Sequence, residues 1–299
     1  MKATVAICTY NRAYDLSESV LSATRQHVEY DFEIIVIDNN STDHTAQLVQ
    51  EIQDSEGVDN VKYVLEKKPG LSAARNRAIR EARGEYILFL DDDAIASPLW
   101  IQHIIDVFES DSSIGCVGGK IEPLWESQKP DWIPSENLSL YTILDYADHV
   151  IEMPNPSIPF GANVAFRTQL FQDIAPFRED LGRVGKNLLS NEESELISRI
   201  RVQHKVFYTP FGSVQHKVSR ERTTKNWFLR RVFWQGVSDA VRKKDKGAIR
   251  TIKHAIRLGQ GVIRALLCIY SPKRFTRQLA QICYRNGLII GILRYNSKE

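Results

Sequence analysis

Residues 84–93 read Gly-Glu-Tyr-Ile-Leu-Phe-Leu-Asp-Asp-Asp. An apolar run of strand length ends abruptly on three carboxylates. An unpaired carboxylate is prohibitive to bury, so Asp91, Asp92 and Asp93 must sit where the strand emerges at the sheet edge. Carboxylates spaced this way at a strand end suit a hard divalent cation and leave positions for phosphate oxygens. The pattern points to metal-assisted chemistry on a phosphorylated substrate, against the plainer alternative of a solvated acidic turn.

Working outward, short runs rich in β-branched residues recur at 3–8, 33–37 and 61–65, beside the one at 86–90. Segments with helical spacing lie between them. Leu16, Val20 and Leu21 follow Asp15; Leu48, Val49 and Ile52 follow Asp43; Ala74, Ala78 and Ile79 follow Ser72. Ser97-Pro98 reads as a cap with proline in the first turn, predicting a helix that points Ile101, Ile104 and Ile105 inward. Strands alternating with helices imply an α/β fold, a mainly parallel sheet with helices on both faces. Such sheets bind ligands at the carboxyl ends of their strands. Three of those ends carry Thr9-Tyr10-Asn11, Asp38-Asn39-Asn40 and Asp91-Asp92-Asp93.

The stretch 123–160 is broken by prolines and holds Trp125, Trp132, Tyr141, Tyr146 and Phe160. A long loop of this kind is often a lid or a binding surface, and flat aromatic faces suit the C–H face of a sugar ring. Ordinary packing of those aromatics is the competing expectation. Residues 190–203 predict one helix, with Ser190 as cap and acidic residues in its first turn. A strand at 205–209 and another ending near His216 follow.

Four scattered cysteines, Cys8, Cys116, Cys268 and Cys283, have no metal-ligand spacing and fit a reducing compartment. The first residues read as a strand and not as a signal peptide. The net charge of +2 conceals an asymmetry. Residues 1–219 carry 20 Lys+Arg and 33 Asp+Glu, whereas 220–299 carry 19 and 4. A split this large marks a boundary near residue 220. The expected division is 1–220, with halves of about 1–120 and 121–220, followed by a basic helical region at 221–299.

In order, Thr-Tyr-Asn-Arg (9–12), Glu-Ile-Ile-Val-Ile-Asp (33–38), Ala-Ala-Arg-Asn-Arg (73–77), the Asp91–Asp93 run, Gly-Ala-Asn (161–163), Glu-Glu (192–193) and Val-Gln-His (214–216) are similar to the family 2 glycosyltransferases. The resemblance covers roughly residues 1–220. It implies a GT-A fold and transfer of a sugar from a nucleotide-diphospho donor with inversion at the anomeric carbon. It also implies a role for each matching residue. Thr9, Tyr10, Asn11 and Asp38 would seat the nucleoside, with Arg75 and Asn76 beside the nucleotide. Asp91 and Asp92 would lie along the ribose and diphosphate. Asp93, with Asp91 and His216, would hold Mg²⁺ or Mn²⁺. Gly161 and Asn163 would lie under the donor sugar. The family takes its catalytic base from the Asp of a Glu-Asp pair at a helix start. Here the pair is Glu192-Glu193, a departure, with Glu193 in the Asp position and Glu192 as the competing candidate.

The implied partners are a nucleotide-diphospho sugar donor, with UDP favoured over the GDP and dTDP that also occur in the family, and a glycan or lipid-linked acceptor in surface polysaccharide synthesis. Residues 225–299 lie outside the resemblance. Trp227, Phe228, Val232, Phe233 and Trp234 are set among Arg230, Arg231, Arg242, Lys243 and Lys244, a pattern that suits aromatics at headgroup level and cations on anionic lipid. The apolar runs at 262–270 and 286–293 are too short to span a bilayer. Peripheral attachment at the cytoplasmic face of the plasma membrane is therefore expected, with no nucleic acid partner. Two rival readings remain at this point. A sugar-1-phosphate nucleotidyltransferase would place a glycine-rich basic loop after the first strand, where Thr9-Tyr10-Asn11-Arg12 stands instead. A non-catalytic nucleotide-sugar-binding scaffold would have no need of the carboxylates.

Overall fold

Four parallel strands form the first half of the sheet: β1 (Ala3–Thr9), β2 (Phe32–Asp38), β3 (Val61–Leu65) and β4 (Tyr86–Asp91), in the order β3-β2-β1-β4. The computed structural model describes residues 1–55, 58–185, 187–243 and 248–295, so Lys244 lies outside the described residues. Register aligns the functional ends, with Thr9 beside Asp38 and Cys8 beside Asp91. Beyond β4 the sheet is no longer all parallel. Strand β8 (Asn163–Arg167) pairs with β4, and β6 (Ile114–Trp125) pairs with β8. The long β9 (Lys205–Val218) follows in order, then the short β5 (Ala94–Ala96), while β7 (Ile151–Glu152) also pairs with β9.

The sheet is thus mixed: β8 is antiparallel to its neighbours, while β6 and β9 run in the same direction, with Lys205 N–H donating to the Ser113 carbonyl at one end and Glu126 N–H to the Val218 carbonyl at the other. Strand β9 is also one element where two were expected. Pro210 lies in its middle and makes the sequence read as a break, because proline donates no ladder hydrogen bond.

Period-two alternation splits the core between two faces. Val5, Ile7, Ile34, Val36, Leu88 and Leu90 point to one side. They are covered by α1 (Ala13–Thr24), α2 (Thr45–Gln53) and α4 (Trp100–Ser110) through Leu16, Val20, Val49, Ile101 and Ile104. Ala6, Ile35, Ile37, Ile87 and Phe89 point to the other. There they meet Ala74 and Ala78 of α3 (Leu71–Glu81) and Leu196, Ile197 and Ile200 of α5 (Glu192–Ile200). Helix α4 starts two residues after Pro98, and Ser97 contributes its carbonyl to the Trp100 N–H in the preceding turn. Helix α5 is shorter than the expected 190–203. Ser190 does not cap it, because its hydroxyl and N–H bond Ser238 and Gln235.

The chain forms two units: Met1–Leu124 with Thr142–Glu179 and Glu193–Lys217, and Trp125–Tyr141 with Asp180–Glu192 and Val218–Glu299. The second unit therefore extends beyond the basic segment, taking in part of the proline-broken stretch. It contains α6 (Lys225–Lys243), α7 (Ala248–Leu267) and α8 (Pro272–Tyr295). Helices α6 and α8 cross closely: a Cβ on Gly287 would stand 1.9 Å from the Phe233 carbonyl oxygen. Ala240, Leu288 and Ile292 fill that crossing, and the Tyr284 hydroxyl donates to Asp239.

The aromatics of α6 are engaged in packing, Phe228 fully and Trp227, Phe233 and Trp234 in part. Phe228 is fully buried and meets Trp132 edge-on, while Trp227 stacks obliquely on Tyr141, which also touches Trp125. Burying these large rings against one another removes more apolar surface from water than an exposed lid would allow. Trp125, Trp132 and Tyr141 are packing residues of this unit. In the first unit, Tyr146 packs edge-on against Tyr208.

Asn163 ties three strands of the first unit. The Asn163 side chain is fully buried; its amide nitrogen donates to the carbonyls of Lys120 and Gly212, and its oxygen accepts from Trp100 Nε1 at 2.8 Å. Asn163→Ala would leave these partners unpaired. Each buried orphan costs about 1–3 kcal/mol, so denaturant unfolding should show a loss of roughly 2–4 kcal/mol. An unchanged midpoint would mean that the amide is not a structural tie.

Candidate active site

The carboxylates at the end of β4 are held by neighbours that the sheet delivers. Asp92 is 6% exposed; Thr9 Oγ1, at the end of the adjacent β1, donates to it at 2.8 Å. Arg12, in the turn after β1, donates through Nη1 to Asp92 at 3.0 Å and to Asp93 at 2.9 Å. Its Nη2 lies 3.3 Å from Asp15. Burial opposes the Arg12 charge, but the three carboxylates outweigh it and hold the guanidinium firmly protonated. Burial pushes the Asp92 carboxyl up to about 7, against the pull of Arg12 and Thr9 and with the help of Asp93.

His216 arrives from the far side of the sheet. The β5–β9 register sets it opposite Ala94, the residue after Asp93. Its Nε2 lies 3.2 Å from Asp93 Oδ1, with both side chains 2% exposed. Its buried Nδ1 has no hydrogen-bond partner. Asp91, Asp93 and His216 each offer an atom within 4.8 Å of the others. Two carboxylates and an imidazole make a donor set that a divalent cation fits, and the orphaned ring nitrogen marks a place where the protein alone leaves a buried polar atom unsatisfied.

Helix α3 supplies Arg75. The guanidinium is 3% exposed, lies over the Phe89 and Phe177 rings and reaches Asp91 at 3.4 Å. Gly161 lies directly against it: a Cβ there would stand 2.2 Å from Arg75 Nη2. Any larger residue would push the guanidinium away, so this glycine serves close approach. Gly161 N–H in turn donates to Glu193 Oε1 over a long 3.4 Å, while Glu193 Oε2 has no hydrogen-bond partner. Asp93, Asp91, Arg75, Gly161 and Glu193 thus form one continuous line in the first unit.

Other residues assigned by the resemblance are committed elsewhere. The Asn163 amide is consumed by the strand tie described above and has no N–H to offer a sugar. Asn76 is likewise closed: its nitrogen donates to the Phe177 carbonyl and Glu179, and its oxygen accepts from Phe177 N–H. Its side chain braces the loop that carries Phe177 under Arg75. Asn11, at φ 52°, accepts from the N–H groups of Thr42 and Asp43, fastening the β1 turn to the β2 turn. Asp38 is 2% exposed; it accepts from Ser41 N–H at 2.8 Å and from the Tyr63 hydroxyl at 2.7 Å. That is the Asx-turn role expected of such a residue, with the remaining lone pairs uncommitted. Tyr10 is 48% exposed, with its ring open for stacking. Glu192 belongs to the second unit and is 3% exposed.

Arg12 carries the most weight among the residues that sequence reasoning left without a role. Its signal was present: a cation just after β1, the strand that pairs in parallel with β4, must sit beside the β4 carboxylates. Cysteine takes no part here. Burial pushes the Cys8 thiol up to about 12.

Residues 4–175 match the family described as glycosyl transferase family 2. The chain is 30% identical over 249 residues to the glucosyl-dolichyl phosphate glucuronosyltransferase of Haloferax volcanii, covering 81% of this chain and 77% of that one. Its fold is similar to that of a mannosyltransferase from Pyrobaculum calidifontis in complex with GDP-Man and Mn²⁺. There the TM-score is 0.65 at 19% identity, covering all of this chain and 88% of the other. S. aureus TarS 1-349 in complex with UDP-GlcNAc gives a TM-score of 0.55 at 19% identity, covering 80% of this chain and 67% of that one. Several other matches are to longer proteins, of which the chain spans 16% to 40%. The parallel strand ends, the carboxylate cluster and these likenesses agree: the chain has the GT-A fold and belongs to glycosyl transferase family 2, as a glycosyltransferase.

Proposed function

We propose that the protein transfers a sugar from a UDP-sugar to a lipid-linked or glycan acceptor, with inversion, assisted by a divalent cation and by Glu193 as base. The observation that carries this reading is the line of groups from Asp93 through Arg75 and Gly161 to Glu193. It sets a metal-binding end and an unpaired carboxylate at the two ends of one set of contacts. Single displacement needs those two things: charge stabilisation for the leaving diphosphate and a base for the attacking hydroxyl.

The cation, held by Asp91, Asp93 and His216, supplies Lewis-acid stabilisation of the departing nucleoside diphosphate when bound. Magnesium favours oxygen ligands and water, whereas an imidazole in the set tilts the choice towards Mn²⁺. Arg12 keeps Asp92 and Asp93 from repelling each other in the absence of a second cation. Arg75, pinned by two aromatic rings, is oriented to meet an anionic oxygen beside Asp91. Tyr10 offers a face to the nucleobase, and Asp38 offers its free lone pairs to a ribose hydroxyl.

Glu193 is favoured over Glu192 because its carboxylate reaches Gly161 in the same unit as the carboxylate cluster. The UDP assignment draws on the TarS complex; the mannosyltransferase complex with GDP-Man marks the competing nucleotide. The lipid-linked acceptor draws on the name of the Haloferax relative and on the basic second unit, and it implies action at the cytoplasmic face of the plasma membrane as a peripheral protein.

Two measurements separate this reading from its rivals. Mn²⁺ titration followed by electron paramagnetic resonance should show one site in the wild type and at least tenfold weaker binding in Asp93→Asn. Equal affinity in both proteins would remove the metal from the account. Glu193→Gln should lower transfer by about 10²- to 10⁴-fold while leaving nucleotide affinity within a factor of about three. Near-normal turnover would exclude Glu193 as the base.

A further inference from the structure

Helix α7 presents an apolar surface on the side that faces away from its packing partner. Gly261 and Ala265 are buried, and a Cβ on Gly261 would come within 3.2 Å of Ile282 on α8. At about 100° per residue, Ile252, Ile256, Val262, Ile263, Leu266 and Leu267 occupy the opposite side, an arc of roughly 140°. All six are exposed; Ile263 is 61% and Leu267 79% open to solvent. Ile269 and Tyr270, just past the helix, continue the surface, with Tyr270 98% exposed. Gly259 lies within the same arc, with open space around it. Isolated exposed apolar residues need no explanation, but a contiguous stripe along a whole helix does.

The edge of the stripe identifies its partner. Lys253, Arg257 and Arg264 are exposed and fall together on one flank, within about 40° of one another at the same helical spacing. From residue 248 to 295 the chain carries nine Lys+Arg and no Asp or Glu. A second copy of this stripe would bring more cations and no acids to meet them. An anionic lipid headgroup meets the cationic flank while the acyl region takes the aliphatic side chains. The helix is about 30 Å long at 1.5 Å per residue, and no helix among the described residues is long and apolar enough to cross a membrane. The geometry is that of a helix lying in the interface.

We infer that the outward face of α7, from Ile252 to Tyr270, docks this protein on an anionic lipid bilayer. The inference deepens the peripheral-membrane reading above, on which it rests, and moves the contact from the aromatics of α6 to the aliphatic residues of α7.

Vesicle co-sedimentation of the full chain tests it, using phosphatidylcholine vesicles with and without about 30 mol% phosphatidylglycerol. The wild type should partition onto anionic vesicles at least tenfold more strongly than onto neutral ones. The double variant Ile256→Glu with Ile263→Glu should lose that binding at least tenfold, with an unchanged circular dichroism spectrum. Lys253→Glu, Arg257→Glu and Arg264→Glu together should abolish the preference for anionic lipid. Metal-dependent hydrolysis of UDP-sugar should be equal in all three proteins. Unchanged vesicle binding in the isoleucine variant would overturn the assignment. So would a wild-type dimer that the variant converts to monomer without change in vesicle binding, because the stripe would then be covered by a second copy. Vesicle binding as expected, without donor hydrolysis in any protein, would support the surface and contradict the transferase reading.

Discussion

The structure depends on one electrostatic constraint: carboxylates at the end of a fully buried strand must be compensated where they stand. Tyr86 to Leu90 is sealed from solvent, and Asp92 and Asp93 follow it into a nearly closed environment. Arg12 reaches both, Thr9 donates to one and His216 approaches the other. Removing a single partner from such a cluster leaves a buried charge exposed to desolvation, which is far worse than never having formed it. The parallel pairing of β1 with β4 and the antiparallel pairing of β9 with β5 are thus requirements of the site as much as of the core.

That constraint also arranges function. Arg12 satisfies one side of Asp93 and Arg75 reaches Asp91 only at a long 3.4 Å, while the second nitrogen of His216 is left without a partner. A site that is neutralised but not saturated can accept a cation and its phosphate ligands without first dismantling its own network. Arg75 and Gly161 extend the same logic to the next shell of contacts. A guanidinium clamped over two rings cannot wander, and a glycine beside it keeps the space that a side chain would take. Preorganisation of this kind is what electrostatic catalysis requires.

Much of the fold was legible in the sequence. Four strands, the helices between them and the convergence of Thr9, Asp38 and Asp91 follow from hydrophobic period and turn residues. The second half of the sheet was harder to read, because Pro210 hides the continuity of β9 and because the pairing of β5 with β9 spans more than a hundred residues. The motif residues converge at the strand ends, and two of them are engaged in the protein's own hydrogen-bond network. Asn76 and Asn163 occupy motif positions, yet their amides are spent on backbone carbonyls and on Trp100, partners that only the tertiary structure brings near. Arg12 shows the converse. Its neighbour in space is Asp93, 81 residues away, and only strand order connects them. The aromatics of α6 and of the 125–141 segment gave an ambiguous signal, since rings suited to a membrane or a sugar are equally suited to each other.

The central claim is that Asp91, Asp93 and His216 together hold the catalytic cation. Anomalous scattering at the manganese edge, from crystals grown with MnCl₂ and UDP, tests it most directly. The account predicts one strong peak within coordinating distance of both carboxylates and the imidazole. A peak placed elsewhere, or a nucleotide bound in this cleft with no metal between it and Asp93, would contradict it.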